Sequence, residues 1–248
     1  MRIMQSSKHE KFISTPIISI IRDAIQAGSG IGSGVETYPL RDYIFQTVFL
    51  KMTGASEQKL KCICWDMATF DYDYRYSFLT DRLGECSNIM DKNKILQKMI
   101  ANILKYNPAF NPSLDVPKQS IIDNVRSELL SIIRSSIWSI WDTKAYKGLN
   151  QNDLSLKACN LMCNAGKGKW TLLDNLFSNY YTNVIYRHRN RCAHNLYSYQ
   201  ENLPTLQTLA DKNFVKQNYF NMFFLLCVMD AVYIALYKEY IKQVKYML

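Results

Sequence analysis

Sustained strand-like alternation is missing from this chain, and so are internal repeats and low-complexity tracts. Their absence leaves no basis for a sheet protein, a solenoid or a disordered tail. The polar opening, Met1 to Glu10, has no apolar stretch of the signal-peptide kind. The longest apolar run, around Phe223 to Ala235, is interrupted by Asp230 and reads as a buried core helix, too short and too polar for a membrane span. A cytoplasmic protein is the expectation. The 7 cysteines form an odd set without a framework. Cys62-x-Cys64 and Cys159-x-x-x-Cys163 fall in helical patterns and lack the spacing of a zinc knuckle, so free buried thiols in a reducing compartment are expected. No metal or cofactor is expected. Histidine is scarce, with 3 residues in the whole chain.

What is present points to a helical protein with an anionic partner. Hydrophobic residues make up 48% and charged residues 21%, enough for a packed core. The net charge of +9 favours nucleic acid as that partner.

Helical periodicity dominates. Thr15-Pro16 opens a helix that stops near Gly28, and Gly28 to Gly34 reads as a loop or hinge. That stretch resembles a phosphate loop only superficially, because no strand leads into it and Pro39 follows. Helices are predicted for Leu40 to Met52 (ending at Gly54), Ser56 to Phe70, Tyr76 to Leu83 and Asn88 to Tyr106. Trp65-Asp66 and Asp71-Tyr-Asp-Tyr-Arg-Tyr76 read as a turn whose carboxylates cap the next helix; alternating rings and charges of this kind also suit stacking on a base. Three prolines between Asn107 and Pro117 suggest a boundary between a helical part, 1–110, and a helical domain, 117–248. The second part is predicted as helices Lys118 to Asp142, Asp153 to Met162, Trp170 to Tyr186 and Asn213 to Tyr246. Between the middle two lies the basic turn Asn164-Ala-Gly-Lys-Gly-Lys169. It lacks the spacing of a Walker A loop, but Lys167 and Lys169 are candidate phosphate contacts.

Two of the histidines fall in one stretch, Tyr186-Arg187-His188-Arg189-Asn190-Arg191-Cys192-Ala193-His194-Asn195. Imidazole, guanidinium and amide side chains together suit phosphodiester chemistry. A histidine exchanges a proton near neutral pH, and an arginine fork neutralises a phosphate that gains charge. No carboxylate cluster for a hard metal lies beside them. Asn190 and His194 are four apart and share a helix face, whereas Arg189 is five before His194. Arg189 and His194 reach one point if the helix ends near Cys192 or if a second subunit supplies half of the site. Arg187, His188 and Arg191 are candidate RNA contacts, and His188 is the rival base. Cys192 reads as a small packing residue. The plainer alternative is a cationic helix end capped by His194 and Asn195.

Arg189-Asn190-x-x-Ala193-His194 resembles the R-x4-H motif of HEPN-domain proteins, in its common Arg-Asn form. The resemblance covers roughly the second half of the chain. It implies an all-α bundle, a homodimer with two facing motifs, and a metal-independent endoribonuclease. Arg189 would bind the scissile phosphate, Asn190 would be the polar residue beside it, and His194 would serve as general acid and base. The RNA 2′-hydroxyl would attack and leave a 2′,3′-cyclic phosphate. The resemblance further implies a toxin or phage-defence effector that acts on RNA such as tRNA, under an antitoxin or other regulatory partner. Members paired with a nucleotidyltransferase antitoxin often carry Tyr two residues after the histidine, whereas Tyr197 is three after it. A non-catalytic RNA- or nucleotide-binding module and a helical protein-interaction subunit are the alternatives.

Overall fold

The structure is a computed structural model that describes residues 8–78, 84–151, 160–166, 168–194 and 218–247, without the side chains of residues 194 and 245–247. It is all-α apart from one small hairpin. Short helix α1 (Glu10–Ser14) and α2 (Ile18–Ala27) lead through the glycine-rich loop to α3 (Tyr38–Phe70). Then come α4 (Tyr72–Ser77), α5 (Ile89–Tyr106), α6 (Pro112–Asp115), α7 (Lys118–Arg134), α8 (Trp138–Trp141) and α9 (Thr143–Gln151). Strands β1 (Leu161–Asn164) and β2 (Trp170–Leu173) follow. The chain then forms α10 (Asn175–Tyr180), a π-helical segment (Tyr181–Tyr186), α11 (Arg187–His194) and finally α12 (Tyr219–Met247).

Helix α3 runs unbroken through Gly54, where the sequence predicts a stop. A mid-helix glycine costs only about 1 kcal/mol. Buried Phe49, Met52, Leu60 and Ile63 lie on both sides of it and hold the rod straight through. The predicted Lys118 to Asp142 helix divides into α7 and α8, because Ser136 Oγ accepts from the Trp138 N–H and turns the chain. Helix α4 closes at Ser77, and the rest of the predicted Tyr76 to Leu83 helix lies largely outside the described residues. The Asp71 carboxylate caps α4 by accepting from the Tyr74 N–H at 3.1 Å, as expected for that turn.

The hairpin corrects two predicted helices. The end of the Asp153 to Met162 helix and Cys163 belong to β1, while residues 152–159 lie outside the described set. The first four residues of the Trp170 helix form β2, paired antiparallel with Leu161 opposite Leu173. Gly166 and Gly168 both have positive φ in the connecting turn, a backbone that side chains disfavour. The free edge of β2 is completed by α5. The Leu172 N–H donates to Asn93 Oδ1 at 2.9 Å, and Gln97 Nε2 donates to the Trp170 carbonyl at 3.2 Å.

Helix α12 organises the core and packs against α3, α5 and α7. By length and composition Tyr219–Val244 would suffice to cross a membrane, contrary to the sequence expectation, yet 83% of its most apolar window is buried inside the protein. Its buried carboxylate, Asp230, is answered by Lys59, whose Nζ lies 2.8 and 3.0 Å from the two carboxylate oxygens. The Ile17 N–H donates to the same carboxylate at 2.9 Å, and Lys59 also donates to the Thr15 carbonyl. This knot ties the start of α2 to α3 and α12; removing one charge would cost about 3–5 kcal/mol by stranding the other. Helices before and after the proline-rich turn share one continuous core, from Ile13 to Val244.

Candidate functional site

The helix that carries the motif is launched by Asp174. Its Oδ1 accepts from the Phe177 N–H at 2.9 Å and caps α10, while Oδ2 accepts from the Asn160 N–H at 3.2 Å and closes the hairpin. The following π turn sets Tyr181, Val184 and Ile185 into the core. Single π turns inside helices recur at functional sites, because the extra residue rotates everything downstream by about 100°. Here it decides which faces of α11 meet α3.

His188 turns inward. Its ring lies 5.0 Å from Phe49 and 5.3 Å from Tyr219, centroid to centroid. Arg191 Nη2 is 3.3 Å from Nδ1, and the Tyr219 hydroxyl is 2.9 Å from Nε2. A guanidinium only donates, so Nδ1 accepts and Nε2 carries the proton that Tyr219 oxygen receives. Burial, with Arg191 reinforcing it, pushes the His188 pKa down to about 4. This imidazole is neutral at physiological pH and braces α11 against α12 through Tyr219. Cys192 is half-buried beside it, as a packing residue, with its thiol pKa raised by burial.

Arg189 turns toward α3. Its Nη2 lies 3.1 Å from Glu57 Oε2, and Nη1 donates to Asn190 Oδ1 at 3.2 Å. The Arg189 side chain keeps 25% of its surface open. Glu57 is also within electrostatic reach of Lys92, which is buried on α5. Lys92 donates to the Cys86 carbonyl at 2.8 Å and lies 5.6 Å from the Tyr181 ring centroid. Burial lowers its pKa to about 8, against the pull of Glu57. Glu57 therefore serves two cations, one at the surface and one beneath it.

The structure brings Arg189 and Asn190 together. It keeps α11 helical through His194, whose side chain lies outside the described set. Positions five apart on such a helix are about 140° apart around the axis. Arg187 is exposed at the start of α11, and Lys169 is exposed at the hairpin tip; Lys167 lies outside the described residues. Among the described residues no three His, Cys, Asp or Glu side chains converge as a metal site. Sequence reading missed Glu57, Lys92 and Tyr219. Only Lys92 left a trace, as a charge at a core position between Ile89 and Leu96. Glu57 stands 132 residues from its partner Arg189 and left none. No protein-family model, curated protein or solved structure matches this chain.

Proposed function

We propose that the chain is a metal-independent endoribonuclease of HEPN type, working as a homodimer. Arg189 binds the scissile phosphate, Asn190 fixes the guanidinium, and His194 moves the proton. The 2′-hydroxyl attacks the adjacent phosphorus, the bond to the 5′-oxygen breaks, and 2′,3′-cyclic phosphate and 5′-hydroxyl ends result. The observation that carries this reading is the partly exposed Arg189, held in place by Glu57 and Asn190 on the helix that also bears His194. A pre-oriented guanidinium stabilises developing charge without reorganising at the moment of reaction. The helical spacing favours a site completed by a second copy, since positions 189 and 194 lie about 140° apart around one helix. A toxin or phage-defence role in the cytoplasm, under a regulatory partner, is the biological setting that accords with such an enzyme.

The test is cleavage of total RNA and tRNA with EDTA present. Wild type is expected to cut, leaving cyclic phosphate ends, and Arg189→Ala and His194→Ala to fall by about 100-fold or more while staying folded. Full activity in either variant would sink the proposal. A second reading, a non-catalytic RNA- or nucleotide-binding module, is favoured by the ion pair that already occupies Arg189. It predicts salt-sensitive binding without turnover.

A further inference from the structure

One face of α3 continues past Arg189 into a cleft. Glu57, Lys61, Trp65 and Thr69 recur every four residues and form a single ridge. Glu57 meets Arg189 at its upper end. Trp65 is about 12 Å further along the axis. Beside it a cleft of about 440 Å³ opens between α3, α4 and residues 84–86. Its volume is that of a small-ligand pocket.

The lining has a definite chemistry. Trp65 is 69% exposed, an unusual position for the largest aromatic side chain in a protein that buries Trp138 and Trp141. Phe78 forms part of the wall, and Cys64 and Cys86 contribute buried sulfur. Two cations stand at the cleft, Lys61 and Arg75, both exposed. Lys61 is paired with Glu85, but this is an exposed pair, worth little in water and open to exchange for a phosphate. Glu85 also lies within electrostatic reach of Arg189. An indole face flanked by cations is the platform that single-stranded nucleic acids use, with bases stacking and phosphates neutralised.

We propose that this cleft is a base-binding subsite for single-stranded RNA, in which Trp65 stacks on an unpaired base while Lys61 and Arg75 hold its phosphates. It rests on the RNA reading of Arg189 and adds to it the substrate class: a strand that is unpaired a short distance from the bond cut.

The test separates binding from cleavage. The full chain is titrated with a fluorescent 2′-O-methyl hexanucleotide, which lacks the attacking hydroxyl, and anisotropy and tryptophan fluorescence are followed. Binding is expected to quench indole emission. Trp65→Ala is expected to weaken binding about ten-fold, while Trp65→Phe keeps most of the affinity and loses the quench. Arg75→Ala and Lys61→Ala are expected to weaken binding and flatten its salt dependence. Unchanged affinity in Trp65→Ala and Arg75→Ala overturns the subsite, even if the protein cleaves RNA. A free nucleoside monophosphate that competes as well as the hexamer also overturns it, making the occupant a mononucleotide. Trp65-dependent hexamer binding in a protein that cuts no RNA supports the subsite and rejects only the ribonuclease reading.

Discussion

His188 and Arg189 are neighbours with opposite fates, and the difference is one of direction. His188 faces Phe49 and Tyr219, and burial depresses its pKa to about 4. An unfolded histidine titrates near 6.5. Between these values the unfolded chain binds the extra proton, so stability contributed by neutral His188 is complete above pH ~6.5 and is lost as pH falls towards ~4. The melting temperature of wild type is therefore expected to drop more steeply over that interval than that of His188→Gln. Parallel slopes for the two proteins would refute the buried neutral imidazole. The arginine-histidine group was visible in the sequence as a cluster, but its division into one residue that braces α11 and one that pairs with Glu57 was not. That division depends on a π turn and on Tyr219, which lies 31 residues away.

At the level of elements, local signals located most helices and misjudged their ends. The Asn88 cap, accepting from the Asp91 N–H at 2.8 Å, starts α5 where the sequence places it. Gly54 was a false stop, since a helix is ended by lost packing more than by one unfavourable residue. A β-carbon built at Gly54 meets nothing within 4 Å. Gly54→Ala is thus expected to stabilise the protein by about 0.5–1 kcal/mol. In thermal unfolding that corresponds to a rise of roughly 1–4 °C. A fall in melting temperature would mean that α3 needs a bend there. The hairpin escaped detection because its strands are only four residues long and β1 begins with two adjacent buried residues, Leu161 and Met162. Leucines 172, 173 and 176 fit a helical stripe equally well.

For the whole molecule, the division suggested by the proline-rich turn does not mark the edge of a core, since apolar residues from both sides meet around α12. The proposed dimer belongs to this scale. If the working site takes Arg189 from one copy and His194 from the other, mixing the inactive Arg189→Ala and His194→Ala proteins after subunit exchange rebuilds one intact site per mixed dimer. Random exchange is then expected to restore roughly a quarter of wild-type cleavage. No recovery, with exchange demonstrated, would mean that each copy needs both of its own residues.

Composition and periodicity by themselves determined that this chain is helical and well packed, and the sequence alone shows two of its 3 histidines and three arginines within one short stretch, Arg187 to His194. These properties arise from interactions three or four residues apart, which local pattern encodes. Only the tertiary structure decided that Asp230 is neutralised by Lys59, that Arg189 meets Glu57, and that Trp65 stands open beside Lys61 and Arg75. Each joins side chains by the folding of distant elements, or leaves one exposed at the surface, and burial and pairing of that kind follow from the arrangement of helices in space.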